Sequence, residues 1–411
     1  MNMSKSCCGG TGVSERQVKK GGCVCSSGDP EVDGISATDP SCPKATLEPV
    51  PGYQSEFSRN TRTRVHADWI IGYIQTPAGE IPQVSTNLSF TDILGSWKCR
   101  WSIGRMDYKV EPGLYAVGSP DDKAPVLVTA NYKMTFDRLR EQLGGLNLWI
   151  VVLDTDGVNV WCAAGKGTFG TEEVVNRITT IHLSDIVTHR NIILPQLGAV
   201  GVAAHEVCKQ TGFHVIYGTV RAKDLKAFFA NNMKATEEMR TVKFTLADRI
   251  VLTPMELVGS LKPLLIAFGI LFILNAIGFG HYGRLDFIGL IGAVLVGVII
   301  TPVLLPWVPG RAFSFKGGLL GLFWATGFLI LTGFPSTPQI GWLKAAAYLL
   351  LLPSLSGFLT MNFTGSSTFT SLSGVDKEMK IALPIMLFAS AGAVLLLLIS
   401  DFVVMFGGAL I

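Results

Sequence analysis

This chain has little charge, no basic stripe and no paired cysteine framework, and each shortage removes a class of protein. Charged residues are 16% and hydrophobic residues 48% of its 411 positions, and mean hydropathy is +0.41. Those values are too apolar for an ordinary soluble protein. A net charge of +3, without lysine and arginine interleaved among aromatics, excludes a nucleic-acid partner. The eight cysteines (Cys7, Cys8, Cys23, Cys25, Cys42, Cys99, Cys162 and Cys208) include no CxxC…CxxC spacing, which excludes a zinc or cluster framework of that kind. No secretory signal is read ahead of them. The thiols are therefore expected in a reducing cytosol, metal-binding or redox-active rather than bridged.

What is present is unevenly spread. Residues 1–45 are rich in Gly, Ser, Asp, Lys and Cys, a composition that cannot bury a core and is expected to be disordered. The pairs Cys7-Cys8 and Cys23-Val24-Cys25 there either hold a soft ion in linear dithiolate geometry or are incidental. Residues 46–245 read as one α/β domain. Apolar runs at 125–130, 146–153, 191–197 and 213–220 are continuous rather than alternating, as in strands of a parallel sheet covered on both faces. Helical patterns lie at 134–143, 171–182, 202–210 and 222–231, with Thr171 as a candidate N-cap ahead of Glu172 and Glu173. This alternation predicts a Rossmann-like α/β domain with ligands at the carboxyl ends of the strands.

Residues 246–411 predict an all-α transmembrane domain of five helices, near 261–280, 287–307, 319–334, 342–361 and 381–402. With the N-terminal domain in the cytosol, Arg311/Lys316 and Lys377/Lys380 fall on inner loops, while Arg284 and Lys344 fall on outer ones. This favours a multi-pass protein of the inner membrane with its C-terminus outside. Asn275 and Asp401 are polar exceptions within the spans; Asp401 lies near a helix end, where interfacial water would solvate it, and neither is read as functional. The hydroxyl-rich loop 364–374 faces the cytosol on this topology, as a docking segment or an exposed linker.

The most informative stretch is Asn159-Val160-Trp161-Cys162-Ala163-Ala164-Gly165-Lys166. A thiolate suits a soft or redox-active metal, and the small neighbours let a large flat cofactor approach the backbone. A buried structural cysteine is the plainer alternative. Gly165-Lys166-Gly167-Thr168-Phe169-Gly170 matches G-x-G-x-x-G, with Asp185 about twenty residues on. That offers a second reading, a membrane-tethered dinucleotide-binding oxidoreductase. Against it, Asp154-Thr155-Asp156-Gly157 breaks the chain well before the first glycine, and Asp185 sits in a polar segment. A P-loop is excluded, because Gly167 replaces the required Ser/Thr and Val160 the first glycine.

The eight-residue stretch closely resembles the signature of the mercury-methylating corrinoid proteins, the HgcA family. The resemblance extends through Val117-Gly118-Ser119-Pro120 and 125–132 to the five-span tail. The soluble part also looks like the corrinoid-binding domain of the large subunit of the corrinoid iron–sulfur protein, without its cluster-binding CxxC region. The resemblance implies a cobamide bound base-off, with Cys162 as lower axial ligand of cobalt on a short cap helix. Asn159, Val160 and Trp161 would shape that cap, with Ala163, Ala164 and Gly165 in its signature, and Lys166 would close it. Thr129, Thr135 and Ala222 match positions expected to contact the corrinoid; Thr129 and Thr135 could equally cap a strand–helix junction. No histidine of this chain lies in the Asp-x-His-x-x-Gly pattern of free-standing corrinoid domains.

The activity implied is a cobamide-dependent methyltransferase giving methylmercury from Hg(II). Because Hg(II) is an electrophile, the methyl group must leave with electron density, which a trans thiolate promotes by the logic that tunes haem iron. Cobalt must then return to Co(I). The implied partners are an HgcB-type ferredoxin with two 4Fe–4S clusters and a methyl-donor methyltransferase of the folate pathway. A corrinoid methyl carrier of one-carbon metabolism with another acceptor is a second possibility, and a transporter or metal sensor with a cytosolic domain a third; a Rossmann-like domain hosts all of these.

Overall fold

In a computed structural model the structure describes residues 67–278, 282–336, 340–363 and 372–407. The amino-terminal thiols Cys7, Cys8, Cys23, Cys25 and Cys42, and most of the loop 364–374, lie outside the described residues.

Strands β1 (Ile70–Thr76), β2 (Gly79–Val84) and β3 (Gly113–Val117) precede β4 (Val126–Ala130), β5 (Leu148–Leu153), β6 (Asn191–Leu194) and β7 (His214–Tyr217) in one sheet of order β1-β2-β3-β5-β4-β6-β7. Strands β4 to β7 are parallel, as the four continuous apolar runs predict. The first three strands are a departure. β1 and β2 form an antiparallel hairpin, and β3 runs antiparallel to β5. β1 and β2 are joined by a tight turn, whereas β3 returns across the helix Phe90–Arg100 to lie parallel to β2.

Helices cover both faces. In chain order they are α1 (Phe90–Arg100), α2 (Lys133–Gln142), α3 (Val160–Lys166), α4 (Thr171–Thr180), α5 (Ala204–Thr211) and α6 (Leu225–Ala230). Every residue of β4 and β5 is buried. Their side chains alternate between two cores, one including Val174, Ile178 and Phe213, the other including Phe136, Leu143 and Phe228. Fully burying each such side chain stabilises by roughly 1.5–3 kcal/mol, so these strands fix the centre of the domain. The predicted N-cap at Thr171 is corrected: Gly170 occupies the cap position, and the Thr171 hydroxyl instead accepts the Ala203 amide at 2.8 Å. A side chain that reaches across to another loop is no longer available to its own first turn.

A balanced ion cluster joins α1 to α2. Lys133 Nζ lies 2.7 Å from Asp92 and 2.6 Å from Asp137, while Arg140 reaches Asp92 at 2.6 Å and Asp137 at 2.8 Å. All four side chains are buried. Tyr108, beside Asp137, has its phenol pushed up to about 12, by burial first and then by that carboxylate.

Five helices are long and apolar enough to cross a membrane, within Leu246–Ala276, Arg284–Leu304, Phe313–Leu331, Trp342–Met361 and Gly374–Val404. Their central helices are α7 (Thr253–Ala276), α8 (Arg284–Leu295), α9 (Phe313–Leu331), α10 (Trp342–Met361) and α11 (Leu372–Gly407). The first and last begin earlier than hydropathy predicts, because polar turns around Glu256 and Asp376 continue the helix beyond its apolar stretch. Ser356 donates to Ala293 O at 2.8 Å and Thr360 to Gly297 O at 2.9 Å, tying α10 to the second span. Asn275 and Asp401, neither read above as functional, share a partner. Asn275 brackets the backbone of Tyr282, whose hydroxyl donates to Asp401 at 2.8 Å. Nearby, Asp286 is paired with Lys344 at 2.8 Å and accepts from the Tyr348 hydroxyl.

Asp137→Ala should destabilise the domain by about 3–5 kcal/mol, because it leaves buried cations uncompensated. Acid provides a second check. Burial favours the neutral form of Asp92, but hydrogen bonds from Lys133 and Ser89 outweigh it and hold the carboxyl well below its usual range. Such a group contributes stability that is complete above its unfolded pKa of about 3.9 and lost as pH falls towards the folded value. Asp92→Asn should therefore lower stability at neutral pH and flatten its decline below about pH 5, as read by denaturant unfolding across that range.

Candidate functional site around Cys162

In the parallel half of the sheet the strand order is β5-β4-β6-β7. The chain leaves β4 for β5 on one side and then crosses to β6 on the other. The carboxyl ends of β4 and β6 therefore flank a topological switch point, where sheets of this kind bind ligands.

Helix α3 lies over that point. Six residues separate it from the end of β5, and it packs against the loop that follows β6. The approach is close: a Cβ on Gly201 of that loop would lie 3.1 Å from Ala164 Cα and 2.2 Å from Phe169 O. Gly201 has no side chain because the cap helix occupies its space.

The turn feeding α3 hangs from one buried side chain. Asn131, the first residue after β4, is 1% exposed. Its Oδ1 accepts from the Thr155 amide at 3.1 Å, the Thr155 hydroxyl at 2.8 Å and the Gly157 amide at 2.9 Å, and its Nδ2 donates to Asp154 at 3.0 Å. The same Thr155 hydroxyl lies 2.7 Å from Val158 O, so its one proton is shared between two acceptors. Asn159 then caps the helix, its Oδ1 accepting the Cys162 amide at 2.9 Å. At the other end Gly167 takes the left-handed conformation, φ 87°, and stops the helix after Lys166.

These constraints give α3 two faces. Val160, Ala163 and Ala164 are buried against the domain. Trp161, Gly165 and Lys166 are exposed, and Cys162 is half-buried. Cys162 and Gly165 stand three apart and so share a face. A Cβ on Gly165 would meet no atom within 4 Å, so there is open clearance beside the thiol. Cys99 is different: it is fully buried, with its sulfur 2.9 Å from the Tyr132 hydroxyl.

The remaining residues singled out in the sequence line the same edge of the sheet. Thr129 is the penultimate residue of β4, buried and paired with Val152 of β5. Thr135 is in the first turn of α2, half-buried, and its amide donates to Tyr132 O at 2.9 Å. Ala222 opens the short 3-10 turn after β7. Asn131 is the positioning residue that the sequence did not single out. Its one sequence signal is an amide directly after an apolar strand.

The dinucleotide reading does not find its geometry. Gly165 lies inside α3 and Gly167 at its end, whereas that fingerprint needs a glycine turn leading straight from strand to helix. Asp185 sits in the helical turn Leu183–Ile186 rather than at a strand end. Among the described residues, no three His, Cys, Asp or Glu side chains converge to hold a metal ion.

Comparison with known proteins places this edge in a family context. Residues 97–229 match the family described as CO dehydrogenase/acetyl-CoA synthase delta subunit. The chain is 33% identical over 138 residues to the acetyl-CoA decarbonylase/synthase complex subunit gamma of Methanopyrus kandleri, covering 33% of this chain and 29% of that protein. It is 29% identical over 127 residues to the corrinoid/iron-sulfur protein large subunit of Moorella thermoacetica, covering 30% of this chain and 28% of that protein. The chain thus spans less than a third of the length of these relatives. Over this stretch it is related to the corrinoid iron–sulfur protein large subunit.

Asn131→Ala would strand the Thr155 and Gly157 amides, each at about 1–3 kcal/mol. It should destabilise the protein by several kcal/mol and sharpen protease cleavage within 154–167. Asn131→Asp retains an acceptor but sets a carboxylate against Asp154, and should give the same cleavage pattern.

Proposed function

We propose that this chain, related over residues 97–229 to corrinoid iron–sulfur large subunits, is a membrane-anchored cobamide-dependent methyltransferase acting on Hg(II). Residues 46–245 would be its cofactor half and residues 246–411 its membrane half. The observation carrying this reading is Cys162: a half-buried thiol with open space beside it, on a helix over the switch point of the sheet.

The donor set fits a macrocycle-bound metal. One thiol without converging His, Asp or Glu partners among the described residues does not make a protein-only metal centre. It suits an ion whose remaining positions are filled by a flat ligand. The edge is also wide, with three strand spacings of about 4.8 Å separating β5 from β7. Thr129, Thr135 and Ala222 lie along that width. A bound corrinoid would supply a cobalt-carried methyl group able to leave with electron density towards an electrophile such as Hg(II).

This chain's residues then have distinct tasks. The Cys162 sulfur would hold the corrinoid's metal and donate charge to it. Asn159 fixes the first turn of α3 and so the position of that sulfur. Gly165 keeps the space beside it clear. Trp161 would help to shape the cap, and Lys166 with Gly167 closes the helix. A low-potential electron donor of the HgcB ferredoxin type and a folate-pathway methyl donor complete the cycle. The protein would sit in the inner membrane with its cofactor half in the cytosol and its C-terminus outside, an orientation that the distribution of basic loop residues favours.

Methylmercury formed from added Hg(II), in cells without the native gene, tests the proposal. Cys162→Ala should abolish it, and wild-type yield from that variant would exclude an essential thiol ligand. Gly165→Leu should leave thermal unfolding near the parent's, because its Cβ meets nothing. It should nevertheless purify with little cobalt and without the visible bands of a cobamide.

A further inference from the structure

Helix α1 is inside out. Its buried face is polar and small: Asp92 sits in the ion cluster, and Ser96 and Cys99 are buried beside it. Gly95 faces Tyr108, where a Cβ would come within 2.5 Å of the hydroxyl. Its outward face is apolar, with Phe90 76%, Ile93 48%, Leu94 41% and Trp97 64% exposed, continued by Trp101 at 38%. These positions follow the i, i+3, i+4, i+7, i+11 spacing of one stripe, an arc of roughly 100°. Lys98 and Arg100 flank the stripe on its two sides. In water such a face is unfavourable. A soluble surface helix carries the opposite pattern, with its apolar stripe on the core.

The position of α1 identifies its surroundings. The loop after it carries two more exposed apolar side chains, Ile103 and Met106. Between them Arg105 donates from Nη1 to Met255 Sδ at 3.0 Å. Met255 lies in the first turns of α7, where the first candidate span begins. The segment that carries the stripe thus touches the entry of a candidate membrane helix.

We propose that α1 lies in the membrane–water interface as an amphipathic anchor of the α/β domain. Phe90, Ile93, Leu94 and Trp97 enter the acyl boundary, Trp101 sits at headgroup level, and Lys98 and Arg100 extend their stems to anionic headgroups. The spans hold the chain in the bilayer. This second contact fixes which side of the α/β domain faces the membrane, and hence the direction from which soluble partners approach. The inference stands on α1 and α7 alone and is independent of the cofactor's identity.

The test uses the full-length protein in nanodiscs of phosphatidylglycerol and phosphatidylcholine, doped with a phospholipid carrying a diazirine on its acyl chain. After irradiation, lipid adducts are mapped by mass spectrometry. Adducts are expected on residues 90–106 as well as on the spans. In the variant Phe90→Ser/Trp97→Ser those on 90–106 should be lost while span labelling persists. That variant touches no buried residue and should unfold like the parent. Adducts confined to the spans in the parent would overturn the proposal, since a protein occupant would then be covering the stripe. So would undiminished labelling of 90–106 in the variant.

Discussion

The turn that carries Cys162 is suspended from a single buried carboxamide. Asn131 stands at the end of β4, and the residues it holds stand at the end of β5. Parallel strands have no tight turn between them, so their carboxyl ends are free to splay. One side chain that accepts three hydrogen bonds and donates a fourth removes that freedom. The position of the thiol over the switch point follows from this tether, the Asn159 cap and the close packing of Gly201 under Ala164.

This arrangement separates the two thiols by accessibility. Cys99 is sealed in the core against Tyr132, where burial and the contact with Cys99 raise the phenol well above its usual range. Cys162 is carried on the open face of a helix only two turns long. A helix that short is marginal by itself. It persists because it is capped at both ends and because Val160, Ala163 and Ala164 pack into the domain. The face left over is therefore held firmly, with small side chains and open space beside the thiol.

The membrane half and the α/β half are linked by more than chain continuity. Arg105 meets Met255, Arg221 pairs with Asp248 at 2.8 Å, and Arg249 lies over the Trp307 ring at 5.2 Å. These contacts gather at the end of the bundle where the first span begins. The network of Asn275, Tyr282 and Asp401, with Asp286, Lys344 and Tyr348 beside it, closes the opposite end. In an apolar solvent such groups must satisfy one another, so they fix how the spans pack.

Much of this was legible in the sequence, for a physical reason: strand and span hydrophobicity and short motifs are local properties. The runs at 125–130, 146–153, 191–197 and 213–220 became β4 to β7, and the five apolar stretches became the candidate spans. The stretch 159–166 marked the cap helix without its surroundings. Other features depend on neighbours distant in sequence, and no periodicity encodes them. The direction of β3, the role of Asn131 and the fit of Gly201 under the cap are of this kind. So are the sharing of Tyr282 by Asn275 and Asp401 and the outward turn of the apolar face of α1. Sequence determined which segments are strands, helices and spans and which thiol is distinctive; tertiary structure decided what each of them faces, because facing is settled by partners brought together only when the sheet and the bundle close.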